Sequence, residues 1–184
     1  LRPGPRTPTY RLTDADSVEV GPEVGVFGYL GDVWEGLGHI DRPRVFQEAF
    51  YLLLCGSGVG FSIQMHHVEQ IPRLARISAR RVRHHEIADT IEGWADALGA
   101  LISSYMPGNP WSGYYIEFDY SAIRAEGSPL VTSGGKAPGH FPLKRTLDLV
   151  RGILDGAAGR KLRPIECHDI VCIASEAVLS GGVR

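Results

Sequence analysis

The sequence predicts an α/β fold. Four segments repeat apolar residues at helical spacing, three shorter segments read as strands, and the two kinds alternate along the chain. Alternation of this kind is the pattern of α/β architecture. With 184 residues the chain is long enough to bury a real core.

Residues 1–39 are weakly patterned. Pro3, Pro5, Pro8 and Pro22 argue against a long helix there, and residues 24–30 read as a short strand. At Asp41-Arg42-Pro43-Arg44 an Asp cap and an early proline open the first helix. Val45, Phe46, Ala49, Phe50, Leu52 and Leu53 give it a broad apolar face. It stops at Gly56-Ser57-Gly58-Val59-Gly60, and residues 61–65 read as a strand. Residues 73–85 carry five arginines and two histidines and suggest no element. A second helix spans 87–105, with Asp89 or Thr90 near its start and a buried stripe of Ile91, Trp94, Ala95, Leu98, Leu101 and Ile102. Pro107-Gly108-Asn109-Pro110 breaks the chain, and residues 114–119 alternate as a strand. Residues 123–139, rich in Gly, Ser and Pro, are long for a loop, and such loops are usually functional or disordered. Helices at about 142–154 and 167–179 follow.

Bulk composition excludes several classes. The apolar fraction of 43% and charged fraction of 22% are ordinary for a soluble protein. A formal charge of -2 gives no electrostatic case for nucleic acid or an anionic membrane. No apolar run approaches the roughly 20 residues of a bilayer span. Three cysteines, Cys55, Cys167 and Cys172, form no disulfide framework, so a cytoplasmic setting is expected. The chain lacks an initiator Met, and Ser180-Gly181-Gly182-Val183-Arg184 reads as a loop that begins just after a helix. Both suggest a piece cut from a longer protein.

Single motifs are ambiguous. The glycines at 56–60 permit a tight turn or close approach to a ligand, but this turn runs from helix to strand, opposite to a dinucleotide-binding turn. His66-His67 and His84-His85 would point to opposite faces if each lay on a strand, so no metal site is expected. Cys167 and Cys172 would lie on different sides of a helix. Arg73, Arg76, Arg80, Arg81 and Arg83 could bind phosphate, although a solvated face is the commoner meaning of such a run. Asp89, Glu92 and Trp94 fit a cap, a dipole partner and a core aromatic.

Four blocks together carry more. They are the stretch from Phe50-Tyr51-Leu52 through Gly56-Ser57-Gly58-Val59-Gly60-Phe61-Ser62; Asp89-Thr90-Ile91-Glu92-Gly93-Trp94; Phe118-Asp119-Tyr120-Ser121-Ala122-Ile123-Arg124-Ala125-Glu126-Gly127-Ser128-Pro129-Leu130; and His168-Asp169-Ile170-Val171-Cys172 through Ser180-Gly181-Gly182-Val183-Arg184. Their order and spacing resemble the adenosylcobalamin-dependent (class II) ribonucleotide reductases, especially the monomeric ribonucleoside-triphosphate type, over about residues 40–184. The resemblance implies an early part of a ten-stranded α/β barrel. It implies reduction of the ribose 2'-hydroxyl by a cysteine thiyl radical that adenosylcobalamin generates, with a cysteine pair supplying electrons. A thioredoxin-like protein would be the reductant, and a deoxynucleotide the effector.

By resemblance, Ser57 and Gly58 match the turn lying against the substrate nucleoside. Gly181, Gly182 and Arg184 match the loop joining the effector to the substrate base. Asp89, Glu92 and Trp94 match a helix start at the effector site, within an insertion around residues 66–113. Arg124 matches a region near the effector phosphates. No catalytic residue and no metal ligand is assigned. The radical cysteine and most of the cobalamin surface belong to parts of the family that these residues do not match. The family also places an Asn-Cys pair before Pro43, where this chain reads Val26-Phe27-Gly28-Tyr29-Leu30-Gly31-Asp32-Val33-Trp34 without cysteine. The chain alone is therefore expected to be inactive. Two alternatives stand beside this reading: a stand-alone nucleotide-binding module, and a piece of a class I reductase large subunit.

Overall fold

The computed structural model describes residues 28–29, 44–129 and 135–181. The helix opening at 41–43, most of the 24–30 strand, Gly182 and Arg184 lie outside them. Five helices and four strands are described. In chain order they are β1 (Gly28–Tyr29), α1 (Arg44–Leu54), β2 (Phe61–Ser62), α2 (Met65–Val68), β3 (Ser78–Glu86), α3 (Ile91–Tyr105), β4 (Tyr114–Asp119), α4 (Phe141–Gly156) and α5 (Pro164–Gly181). The mixed α/β class holds. The sheet content is two parallel pairs, β1 with β2 and β3 with β4.

The helices form the core. Phe46 and Phe50 of α1, Trp94, Leu98, Leu101 and Ile102 of α3, Leu143, Leu147, Val150 and Leu154 of α4, and Cys167, Ile170 and Ala174 of α5 belong to one buried cluster. The i, i+3, i+4, i+7 spacing of the α3 stripe puts these side chains on one face. α3 packs against α1, α4 and β4, and α5 against α1 and α4. Among the described residues no helix is long and apolar enough to cross a membrane.

Helix ends follow from local chemistry. Thr90 caps α3, its Oγ1 accepting from the Gly93 N–H at 2.9 Å. Asn109 closes the other end, its Nδ2 donating to the carbonyls of Ser103 (2.9 Å) and Met106 (2.8 Å). α1 ends in a Schellman motif: Ser57 N–H bonds the Leu52 carbonyl, Gly56 N–H bonds that of Leu53 (both 3.0 Å), and Gly56 has φ +80°. Pro164 begins α5, and Glu166 reaches back to the Arg163 N–H at 2.8 Å.

Several expectations are corrected. The strand read at 61–65 is only Phe61–Ser62, and Met65–Val68 is a helical turn. His66 and His67 are therefore not strand neighbours; their rings lie 3.9 Å apart. The arginine-rich stretch contains a nine-residue strand, β3, paired in parallel with β4 through Arg83↔Ile116 and His85↔Phe118. Gly181 closes α5 rather than opening a loop, because α5 continues past residue 179. The ten-stranded barrel does not appear among the described residues, where neither sheet exceeds two strands.

Candidate functional site

The unit β3–α3–β4 carries the site. In parallel βαβ units the crevice outside the carboxyl ends of the strands is the usual ligand position. Here those ends are joined by a bond from the Ile87 N–H to the Asp119 carbonyl at 2.9 Å. The N-terminus of α3 opens beside them, a place where backbone N–H groups and the helix dipole favour an anion.

Asp89 and Arg124 meet at this end. The Arg124 Nε donates to Asp89 Oδ2 in an ion pair across 35 positions of sequence. The guanidinium side chain remains 40% exposed, so it is available to a second partner, while the Asp89 side chain is 19% exposed. Glu92 stands exposed on the first turn of α3. Asp119 accepts the Ser121 N–H at 2.9 Å, and bonds from Ser121 hold its carboxyl below the ordinary range. Asp89 thus pairs with the Arg124 guanidinium, while Glu92 and Asp119 lie on the first turn of α3 and at the end of β4. Carboxylates suit ribose hydroxyls, and a planar guanidinium suits phosphate oxygens.

Trp94 takes the core position that its residue type suggested. Its side chain is fully buried and belongs to the core cluster, so it supports the start of α3 from beneath rather than offering a ring to a ligand.

The turn at Ser57 and Gly58 reaches the same end of the molecule. Gln47 of α1 bonds Asp96 of α3 at 2.5 Å, and one turn on, Tyr51 feels the charge of Glu92. The two helices therefore run in opposite directions, and the end of α1 sits beside the start of α3. Ser57 is half-buried and Gly58 exposed. A Cβ added at Gly58 would meet nothing within 4 Å, so packing within the described residues does not demand glycine there. Ser57 and Gly58 are not seen in contact with Asp89 or Arg124; what they share is the end of the molecule. Gly181 lies at the end of α5, and Gly182 and Arg184 fall outside the described residues.

Tyr51, Asp119 and Ser121 are site neighbours that the sequence did not single out. The Tyr51 hydroxyl is pushed up first by its bond to Cys55. Tyr51 and Cys55 stand at i, i+4 spacing where α1 ends, and that was the available signal for this pair.

The arginine run is mostly sheet furniture. Arg81 stacks over Tyr114 at 4.3 Å, and Arg83 over Trp111 at 4.2 Å while donating to the Pro110 carbonyl at 2.8 Å. Arg73 donates to the Gly159 carbonyl at 3.1 Å. His84 and His85 do face apart, His84 toward Glu117 (3.4 Å) and His85 toward Trp111 and Phe118. Among the described residues no group of three or more His, Cys, Asp or Glu gathers to hold a metal.

No protein-family model matches the chain. Similar proteins do. The chain is 27% identical over 172 residues to an adenosylcobalamin-dependent ribonucleoside-triphosphate reductase of Levilactobacillus brevis, covering 76% of this chain and 23% of that protein. It is 30% identical over 169 residues to the reductase of the same name from Lactobacillus leichmannii, with the same coverage. A probable reductase of this kind from Dictyostelium discoideum is 33% identical over 100 residues, 53% of this chain and 12% of that protein. In structure the chain is similar to a B-12 dependent (class II) ribonucleotide reductase, with TM-score 0.70 and 26% identity over 86% of this chain and 26% of that one. The chain thus spans about a quarter of the length of the curated relatives from Levilactobacillus brevis and Lactobacillus leichmannii.

Proposed function

We propose that this chain is a segment of an adenosylcobalamin-dependent (class II) ribonucleotide reductase, the family that the sequence and fold similarities both name. Its contribution is nucleotide recognition. The observation that carries this is the Asp89–Arg124 pair at the capped start of α3, beside the carboxyl ends of two parallel strands.

The residues divide the work by chemistry. Asp89 and Glu92 accept hydrogen bonds from the sugar of a deoxynucleotide effector, Arg124 takes a phosphate oxygen, and Trp94 fixes the helix start below them. Ser57 and Gly58 lie against the substrate nucleoside, where the open space at Gly58 admits it. Gly181, Gly182 and Arg184 join the two sites, and residues 66–113 form the insertion that builds the effector pocket. The whole enzyme reduces ribonucleotides to deoxyribonucleotides for DNA synthesis, with a thioredoxin-like reductant and allosteric control of substrate choice. Adenosylcobalamin supplies the radical chemistry when bound. No donor to it is assigned among these residues, and no radical step runs through them. The 184 residues alone are expected to turn over no ribonucleotide.

The decisive experiment is Arg124→Ala in the complete reductase that contains this segment. Basal turnover persists, and added deoxynucleoside triphosphates no longer redirect substrate choice. An unchanged effector response sinks the assignment of Arg124. Reduction of a ribonucleotide by the 184 residues alone, given adenosylcobalamin and a dithiol, sinks the segment reading.

A further inference from the structure

Arg124 meets Asp89 because the chain turns twice just after β4. Asp119, the last residue of that strand, starts the first turn. Its carboxylate Oδ1 accepts the Ser121 N–H at 2.9 Å, and the Ser121 hydroxyl donates to the same carboxylate. An Asp that bonds the backbone two residues on makes an Asx turn. The Tyr120 carbonyl then accepts the Ile123 N–H at 3.0 Å, which closes a second, overlapping turn.

The two turns stand on apolar anchors. Ile123 is 7% exposed and belongs to the core cluster, and Tyr120 packs against that cluster with its ring 5.5 Å from that of His140. Ser121 and Ala122 between them are exposed, so the Asp119 carboxylate holds the part of the turn that the core does not. Arg124 follows directly. The other arm is held by the same residue: the Asp119 carbonyl accepts the Ile87 N–H at 2.9 Å, and Asp89 lies two residues beyond Ile87. Asp119 therefore ties down both chains that carry the Asp89–Arg124 pair.

We propose that Asp119 is the positioning residue of the effector site, setting the Arg124 guanidinium where it takes a phosphate oxygen. The inference rests on the effector reading of Arg124 given above. Asp119 acts through Arg124 and makes no contact with the nucleotide itself, its Oδ1 being engaged by Ser121. The turn needs an acceptor at this place rather than a charge, so asparagine can replace it.

Equilibrium dialysis of each of the four deoxynucleoside triphosphates against the complete reductase that contains this segment is the test. Asp119→Ala raises the Kd of the effector several-fold, and Asp119→Asn keeps it near the parent value. Asp119 is exposed, so neither substitution opens the core. Arg124→Ala also weakens binding, and adding Asp119→Ala to it weakens binding no further, because the group that Asp119 positions is gone. A residue that merely stabilised the fold would add its loss to that of Arg124. Parent-like binding by Asp119→Ala, an Asp119→Asn as weak as Asp119→Ala, or additive losses in the double variant overturns the proposal and leaves the effector reading standing. An Arg124→Ala enzyme that binds every deoxynucleotide as the parent does overturns both.

Discussion

Glu166 shows how one side chain can lock a helix start. Its carboxylate takes Arg160 on both oxygens, at 2.8 and 2.6 Å, and Arg163 through both backbone and guanidinium. The bond from Arg160 comes first among the causes that hold its carboxyl down to about 2. In the unfolded chain the carboxyl returns to about 4.5, so the folded state binds the proton less tightly. The stabilisation is complete above pH 4.5 and drains away as pH falls toward 2. Both arginines are substantially exposed, which screens the interaction. Glu166→Gln should therefore cost about 1–3 kcal/mol near neutrality, a difference that shrinks toward zero at the acid end. Denaturant titrations at pH 7 and pH 3 check both parts, and an equal loss at the two pH values contradicts the account. Gly93 is a steric case. A Cβ there would stand 2.4 Å from the Ala88 carbonyl oxygen and 2.9 Å from its Cβ. Backbone cannot swing aside as a side chain can, so Gly93→Ala should destabilise by about 1–3 kcal/mol despite the better helix propensity of alanine. A thermal melt that rises on this substitution would show that the approach is not tight.

At the scale of elements, what the sequence revealed depended on which force made each element. α3 was legible because burial made it: Trp94, Leu98, Leu101 and Ile102 recur at helical spacing and all lie in the core. β4 was legible for the same reason, since Ile116 is buried while Tyr115 and Glu117 are exposed. β3 was not, because pairing with β4 makes it a strand while its side chains stay exposed, apart from half-buried His85. Arginines stacked on Tyr114 and Trp111 replace the apolar alternation that a reader would seek. The candidate site divides likewise. Family likeness named Asp89 and Arg124, and the fold joins them, but no spacing rule could predict a contact across 35 positions. Trp94 is buried, as its core reading expects, and its match to the effector site rests on family likeness alone. The glycine turn after α1 combines both uses. Gly56 is structural, with φ +80° inside the Schellman motif, whereas Gly58 is not demanded by neighbours. Gly56→Ala should cost about 1 kcal/mol, seen as a lower denaturant midpoint. Gly58→Ala should leave that midpoint in place, and a matching loss at both positions would remove the distinction between them.

For the whole molecule, the distribution of cover matters more than any contact. Parallel strands are ordinarily buried on both faces, and two of them seldom stand alone. Here β3 pairs only with β4 among the described residues, and its side chains are exposed apart from half-buried His85; Val82 is 42% exposed and neighbouring Tyr115 37%. The helical core has no such deficit: Phe50, Trp94, Leu98, Val150 and Leu154 are all at 0%. Stability should therefore be graded, high in α3 and α4 and low in β3. Amide hydrogen exchange reads this directly. In the 184-residue chain the amides of α3 and α4 should exchange slowest, and those of β3 faster by a factor that approaches the full protection of the core. If the chain is a segment of a reductase, the same β3 amides should become protected in the complete enzyme, where further polypeptide covers the strand, while the α3 amides change little because they are already buried. Equal protection of β3 and α3 in the isolated chain would mean that the β3–β4 pair is stable by itself. Unchanged β3 exchange in the complete enzyme would mean that its exposed face is meant for solvent, and the segment reading would lose its structural rationale.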